Sequence, residues 1–383
     1  MGNSTIIIVF CIGLLVIVWY YWLRRGQERE ERPDPSVYIN GLRAILRGQD
    51  EQAYAYLKQT IAADTNNVDA FIQLGNLLRR LNKPDQALKI HRDLTYRGNL
   101  SAEEKKEILL ALYYDYKALD NEVTGIKAIN EIIELYPDDI PSLKMLLRWL
   151  EKTGEWKEAG QIRRHLDKLE NVDSGRRLAL YKVFEGYALG DKGDRHRARL
   201  FYKEALHIDK TCLAACLSLG DSYFDEKRLE DAIRYWMRII ELRPEAGHVV
   251  FERLKKGYFE TGQYGQYADT LTKLLQACPE HLTARLELAY FLEKKGERSA
   301  AREHYVIAQD NHPESLMAKL GAYRLNREDG REEMAEAILR GALKLAVKKE
   351  ARSYTCGECG LVMESKVWLC PRCKAVDSFP SAK

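Results

Sequence analysis

Four cysteines near the C-terminus carry the sequence pattern with the clearest chemistry. They form two C-x-x-C pairs separated by ten residues, and they are Cys356, Cys359, Cys370 and Cys373. A C-x-x-C pair can place two thiolates on one face of a tight turn, and two such turns close a tetrahedral site in which sulfur is the only ligand. Gly360 follows one pair and Pro371 lies inside the other, and both residue types favour turns. The sequence therefore predicts one metal ion in a four-cysteine site.

The metal is not decided by the ligands, because four thiolates hold zinc or a single iron equally well. Tyr354 and Trp368 each lie two residues before a cysteine pair, an arrangement that resembles the electron-transfer protein rubredoxin. A segment of this size has too small a core to fold alone, so metal binding would supply its folding energy. We expect a structural metal, and a metal- or redox-sensing regulator that uses the knuckle is the alternative function. Disulfides or free redox thiols would share the same motif.

Common catalytic motifs are absent from the sequence. It contains no P-loop, G-x-S-x-G, H-E-x-x-H or kinase-type motif, and its eight histidines are scattered without ligand spacing. Subtracting the other predicted segments also leaves no stretch long enough for a catalytic domain. We therefore do not expect an enzyme. The other four cysteines are expected to act as small apolar side chains, and they are Cys11, Cys212, Cys216 and Cys278.

The elements that must position the knuckle are repeated helical hairpins with a period of about 34 residues. Two segments, ending at Pro244 and Pro313, share one template, in which a leucine and a small residue precede an alanine and an aromatic residue. The residues are Leu219, Gly220, Ala232 and Trp236 in the first, and Leu288, Ala289, Ala301 and Tyr305 in the second. Small residues let two helices approach closely, and proline ends the second helix because it has no backbone N–H to donate.

These residues resemble the tetratricopeptide repeat family. The resemblance covers about 34 to 315, with a degenerate tail to about 350, and it implies an all-α solenoid of eight to nine hairpins over residues 36–350, followed by a small rubredoxin-like metal-binding domain over 351–383. Tyr267 departs from the template by replacing a small residue, and the register is lost after residue 316.

A solenoid of this kind leaves an extended concave surface, lined mainly by the first helix of each hairpin and suited to holding another protein. The residues predicted on this partner-binding groove are Asn76, Arg79, Tyr114, Arg148 and Asp221. Ordinary solvated surface is the alternative interpretation for each of them, because charged and polar residues are normal on exposed helix faces.

The N-terminal segment predicts a transmembrane helix. Residues Ile6 to Leu23 contain no charged side chain, and a helix of about 18 to 20 apolar residues spans a bilayer core. Trp19 and other aromatic residues end the segment, and Arg24 and Arg25 follow it. By the positive-inside rule, the arginine side stays in the cytoplasm. We therefore expect a single-pass anchor over 1–24 and a charged linker over 25–35, with the bulk of the chain cytoplasmic.

The overall charge excludes one class of partner. Lys and Arg number 60 and Asp and Glu 57, and the two signs are interleaved along the chain. A nucleic-acid-binding protein would normally show a concentrated basic footprint, so we expect no nucleic acid partner.

The combination of an anchor, tetratricopeptide hairpins and a rubredoxin-like knuckle is rare. It resembles the LapB (YciM) family, the lipopolysaccharide assembly protein B of Gram-negative bacteria, over nearly all of the chain. The segment LGNLLRRLNKPDQALKIH, residues 74–91, is similar to the family's early repeat, and each cysteine of the family's metal site has a counterpart in the two C-x-x-C pairs.

The resemblance implies an inner-membrane protein that regulates lipopolysaccharide synthesis from the cytoplasmic side. In the family, the protein acts with the membrane protease FtsH to promote degradation of the deacetylase LpxC, which catalyses the committed step toward lipid A. The implied partners are therefore FtsH, LpxC and other lipopolysaccharide-synthesis proteins. The resemblance slightly favours iron over zinc, and it leaves a homo-oligomer open.

Overall fold

The computed structural model describes residues 16–19, 35–346, 354–363 and 367–378. Between residues 35 and 346 the chain forms eighteen α-helices. The first seven are α1 (Pro35–Leu46), α2 (Asp50–Ala63), α3 (Val68–Arg80), α4 (Pro84–Thr95), α5 (Ala102–Ala118), α6 (Glu122–Leu135) and α7 (Ile140–Thr153).

The second half of the chain continues the helical pattern and then changes character. Its helices are α8 (Trp156–Glu170), α9 (Gly175–Gly190), α10 (Arg195–Ile208), α11 (Leu213–Asp225), α12 (Leu229–Leu242), α13 (Phe251–Glu260), α14 (Gly265–Ala277), α15 (Leu282–Lys295), α16 (Arg298–Asn311), α17 (Leu316–Glu328) and α18 (Glu332–Ala346). A 3-10 helix, Pro244–Val249, connects α12 to α13, and the short strands β1 (Tyr354–Thr355) and β2 (Val362–Met363) follow α18.

The chain divides into two compact units, residues 1–146 and 147–383, with the boundary inside α7. In the first unit, α1 and α2, α3 and α4, and α5 and α6 pair as hairpins, and each hairpin packs against the next. In the second unit, α8 packs against α9, and five hairpins follow from α9–α10 to α17–α18 in the same manner. Each unit is thus a stack of tetratricopeptide-type hairpins in chain order.

Local sequence explains where the helices begin and turn. At the start of α5, the Ser101 hydroxyl accepts from the backbone N–H of Glu104 at 3.2 Å, while the Glu104 carboxylate accepts from the Ser101 N–H at 2.8 Å. This reciprocal capping satisfies two N–H groups that have no partner inside the helix. The turn between α15 and α16 contains Gly296 at φ +88°, a left-handed conformation that glycine adopts without steric cost.

Close helix contacts follow the predicted pairing of a small residue with a large one. A Cβ atom on Gly75 would lie 2.3 Å from His91 Nε2, and one on Gly220 would lie 2.3 Å from Trp236 Nε1. Trp236 is almost completely buried as a result. Tyr267, which departs from the template, is also buried, and its hydroxyl donates to Glu287 at 3.1 Å.

The structure departs from the all-α prediction at the knuckle, and it describes only part of the predicted transmembrane segment. The all-α prediction describes residues 35–346, but the knuckle also contains the antiparallel pair β1–β2, in which Tyr354 lies opposite Met363. Of the predicted transmembrane segment, only residues 16–19 are described. They are helical and exposed, and the rest of the segment lies outside the described residues. Among the helices that are described, none is both long enough and apolar enough to cross a bilayer.

Candidate metal centre

Both C-x-x-C pairs adopt the same turn. The carbonyl of Cys356 accepts from the N–H of Gly360 at 3.0 Å, and the carbonyl of Cys370 accepts from the N–H of Lys374 at 2.9 Å. Gly360 and Lys374 both occupy the left-handed region, with φ of +68° and +58°. Glycine adopts this conformation freely, whereas lysine does so rarely. The chain therefore closes two equivalent turns with two different residue types.

A second hydrogen bond holds each turn. The N–H of Cys356 donates to the carbonyl of Leu361, and that of Cys370 donates to the carbonyl of Ala375, both at 2.9 Å. The first cysteine of each pair therefore has both its backbone N–H and its backbone carbonyl hydrogen-bonded within the turn. Cys356 and Cys370 are fully buried, whereas the second cysteine of each pair is partly exposed.

The four thiols converge on one point. Their sulfur atoms all lie within 4.8 Å of one another, and the Sγ–Sγ distances Cys356–Cys373 and Cys359–Cys370 are both 3.7 Å. A tetrahedral ion with sulfur ligands at about 2.3 Å requires sulfur atoms about 3.8 Å apart. The four cysteines therefore fit one tetrahedral metal ion, and zinc and iron both suit this ligand set.

The electrostatics of the cluster favour one thiolate forming first. Burial opposes ionisation of Cys356, but hydrogen bonds from the Ser378 hydroxyl and from the N–H groups of Cys359 and Glu358 outweigh it and lower its pKa to about 6. Burial, followed by interactions with the other three thiols, raises the pKa of Cys373 to about 12. A bound cation would replace the remaining protons, because only thiolates coordinate.

Apolar side chains surround the sulfur atoms. Of the two predicted aromatic residues, Tyr354 packs against the buried cysteines together with Leu361 and Met363. Trp368 is partly buried, and its carbonyl accepts from the N–H of Asp377 at 2.6 Å. The knuckle therefore has a small core of its own beside the cysteines.

The predicted groove residues of the first unit form one network around a buried carboxylate. Arg79 donates to Asn76 at 2.7 Å and to Asp115 at 2.6 Å, and its guanidinium lies 5.5 Å from the ring centroid of Tyr114. Asp115 is fully buried and also bonds His91 Nδ1 at 2.5 Å. The structure thus brings Asn76, Arg79 and Tyr114 together.

Sequence reasoning missed Asp115, which organises that network. The signal was a single acidic residue in the otherwise apolar and aromatic stretch ILLALYYDYK of α5. Acidic residues on helices are usually solvated, and its partners lie 24 and 36 residues away in the preceding hairpin. Its role therefore becomes visible only once the hairpins are stacked.

The remaining predicted groove residues, Arg148 and Asp221, lie in the second unit. The Asp221 carboxylate accepts from Arg253 Nε at 2.7 Å, from Arg253 Nη2 at 3.0 Å and from Trp236 Nε1 at 3.0 Å. Asp221 therefore joins two neighbouring hairpins. Arg148 lies on α7 and is exposed.

Comparison with known proteins shows similarity to a repeat family over one segment and to individual proteins over most of the chain. A family model of the tetratricopeptide repeat matches residues 213–245. Lipopolysaccharide assembly protein B of Escherichia coli strain K12 is 25% identical over 93% of this chain and 92% of its own length. The protein of the same name from Haemophilus influenzae is 25% identical over 97% of each chain. Among solved structures, that of MamA is 22% identical and covers 43% of this chain and 95% of MamA, with a TM-score of 0.33.

Proposed function

We propose that this protein is a non-catalytic adaptor in lipopolysaccharide assembly. The reason is that the predicted resemblance to lipopolysaccharide assembly protein B is confirmed along nearly the whole chain. The observation that carries the proposal is the extent of the similarity, which includes 93% to 97% of this chain. A similarity confined to the repeats would identify only a protein-binding fold.

The hairpin stacks supply the adaptor surface. Tetratricopeptide arrays bind other proteins along surfaces built from many hairpins. In the first unit the buried Asp115 holds Arg79, whose guanidinium in turn contacts the ring of Tyr114. Side chains that are already ordered lose less conformational entropy when a partner binds. We propose that Asn76, Arg79, Tyr114, Arg148 and Asp221 contribute to partner binding.

The proposed partners are FtsH, LpxC and other lipopolysaccharide-synthesis proteins. We further propose that residues 1–24 anchor the chain in the inner membrane, with the bulk of it on the cytoplasmic side. An adaptor that binds a protease and its substrate on one membrane raises their effective concentration without catalysing any step itself. This arrangement accounts for regulation of lipid A synthesis by a chain without recognisable catalytic motifs.

Capture from membranes tests the proposal. Full-length protein and a variant that begins at Arg32 would be purified after cross-linking, and FtsH and LpxC would be quantified in both by mass spectrometry. We expect both partners with the full-length protein and a large loss of FtsH with the shortened variant. Absence of both partners from both preparations would reject the adaptor proposal.

A groove variant sharpens the same experiment. Replacing Arg148 by Glu reverses one exposed charge on α7, and Lys168→Glu reverses one exposed charge near the end of α8 as a matched control. A charge reversal at an interface costs binding, whereas one on free surface has little effect. We expect reduced capture of LpxC only with Arg148→Glu, and equal capture with both variants would remove Arg148 from the proposed surface.

The alternative function, a metal- or redox-sensing regulator, rests on the tetrahedral four-sulfur cluster. Elemental analysis and visible absorption of the full-length protein separate it from the adaptor proposal. Zinc with no reducible centre would support a structural knuckle, whereas iron that cycles between two oxidation states would favour the sensor.

A further inference from the structure

Ser378 makes a contact that reaches into the cysteine cluster from outside the two C-x-x-C motifs. Its hydroxyl oxygen lies 3.1 Å from the sulfur of Cys356 and 3.4 Å from the carbonyl oxygen of Ala375. A hydroxyl has one hydrogen to donate. The shorter distance and the negative charge of a thiolate favour the bond to sulfur, because hydrogen bonds to ionised acceptors are the stronger ones.

The backbone of Ser378 is fixed against the first turn. Its carbonyl accepts from the N–H of Gly357, the residue after Cys356, at 2.8 Å. Ser378 follows the second C-x-x-C pair in the chain but bonds the first. It therefore joins the two turns on the side of Cys356.

The residue before it connects the knuckle to the helices of the same unit. The Asp377 N–H donates to the carbonyl of Trp368, and the Asp377 carboxylate pairs with Nη2 of Arg176 at 2.9 and 3.0 Å. Arg176 is the second residue of α9. Asp377 is thus held between the second turn of the knuckle and the start of a helix 201 residues earlier.

We propose that Ser378 is a positioning residue for the metal-binding thiolate of Cys356, and that Arg176 supports it through Asp377. The helical hairpins would thereby influence how firmly the knuckle holds its metal. This inference rests on the four-cysteine site and is independent of the proposed role in lipopolysaccharide assembly, so failure of either one leaves the other standing.

The expected size of the effect follows from other metal sites. Groups that hydrogen-bond a metal ligand contribute about 10- to 100-fold to metal affinity. The Ser378 bond is a single one, so its loss corresponds to the lower end of that range. Arg176 does not touch the cysteines and acts only through its exposed ion pair with Asp377. Because exposed ion pairs are weak, we expect the loss of Arg176 to lower metal affinity only about two- to threefold.

The test measures transfer of zinc from zinc-loaded full-length protein to a chromogenic chelator. We expect Ser378→Ala to release zinc about tenfold faster than the unsubstituted protein. Ser378→Thr keeps the hydroxyl, so we expect it to release zinc as slowly as the unsubstituted protein. Thr355→Ala removes an exposed hydroxyl beside the same cysteine and serves as the matched control. Helical circular dichroism of every variant confirms that the hairpins remain folded.

Coupling between the two residues is tested by a double-mutant cycle. Arg176→Ala should accelerate release in the wild-type background and have no further effect in the Ser378→Ala background. Arg195→Ala removes a comparable exposed ion pair, with Asp225 at 3.3 Å, and should leave release unchanged. Release from Ser378→Ala at the rate of Thr355→Ala would overturn the role of Ser378, and additive effects of the two substitutions would overturn the link through Arg176.

Discussion

The buried carboxylate of Asp115 shows how much one residue decides in this protein. It has no exposed surface, and it bonds both His91 and Arg79. An ionised group buried in this way is tolerated only when charged or hydrogen-bonding partners compensate for the lost water. Because Arg79 in turn contacts Asn76 and Tyr114, the same carboxylate orders the neighbouring surface.

Replacing Asp115 by Asn should destabilise the first unit by about 3 kcal/mol, because removing one member of a buried charged network leaves the others uncompensated. The free energy of unfolding in urea, followed by circular dichroism, measures the loss. Asp93→Asn on the exposed side of α4 is the control, and it should change stability by less than about 0.5 kcal/mol. Equal effects of the two substitutions would show that the network contributes nothing.

At this scale the sequence predicted packing better than hydrogen bonding. His91 is buried against Gly75, as the predicted pairing of a small residue with a large one requires. Its bond to Asp115 was not predictable, because the two residues are 24 positions apart and belong to different hairpins. In the knuckle, the C-x-x-C spacing predicted that the four cysteines lie together, whereas the contact from Ser378 depends on how the chain folds back after the second pair.

Two helical glycines differ in how closely their neighbours approach. Gly220 lies directly against the Trp236 ring, so an added methyl group would overlap it. Gly160 in α8 has only ordinary contacts, since a Cβ there would be 3.8 Å from the nearest side chains. Substituting each glycine by alanine therefore distinguishes the effect of a close helix contact, at Gly220, from the effect of helix propensity alone, at Gly160.

Gly220→Ala should destabilise the second unit by about 1 to 3 kcal/mol through overpacking. Gly160→Ala should leave stability unchanged or raise it by up to about 1 kcal/mol, since alanine is the better helix former. Urea unfolding of the full-length variants compares them. Similar results for both would mean that the helices can separate at Gly220 without cost.

A histidine cap makes one helix sensitive to acid. His281 Nδ1 accepts from the N–H of Ala284 at 3.2 Å at the start of α15, which requires that nitrogen to be unprotonated. Burial, followed by the nearby His248, lowers the pKa of His281. The unfolded chain therefore takes up the proton more readily, so this contribution to stability is complete above about pH 6.5 and is lost as the pH falls from there through the folded-state pKa.

His281→Asn keeps a capping acceptor that does not titrate, because asparagine is also a favourable N-cap residue. We expect a smaller loss of stability between pH 7.5 and pH 5.5, two values on either side of the reference histidine pKa of about 6.5, measured by urea midpoints at both. Some loss should remain, since burial also lowers the pKa of His304. An unchanged pH dependence would exclude the cap as its source.

The hairpins were predictable because one glycine or alanine and one large side chain recur at a fixed spacing. Where that spacing fails, as at Tyr267, the pattern predicts helix boundaries only to within several residues, although the hairpin forms and the tyrosine is buried. The strands of the knuckle comprise two residues each. Such short elements have no periodicity to detect.

Across the whole molecule, the knuckle and the helices fold on different principles. The hairpins bury apolar residues against their neighbours, whereas we expect the knuckle to gain most of its stability from a bound metal. Cys356→Ser combined with Cys359→Ser should therefore remove the metal while leaving the helical circular dichroism nearly unchanged. Cys278→Ser, outside the cluster, should retain the metal, and wholesale loss of helix in the double variant would show that the knuckle supports the hairpins.

The ion pair between Arg176 and Asp377 also bears on the order in which parts of the chain fold. Most contacts between hairpins join residues about one repeat apart, such as Lys227 and Glu260, which are 33 positions apart, while this pair joins positions 201 apart. Local contacts form quickly, and distant ones wait for the chain between them to become ordered. The knuckle is also synthesised after the helices that it contacts. We therefore expect the Arg176 contact to form in the last steps of folding, so that the four-cysteine cluster is completed on hairpins that have already folded.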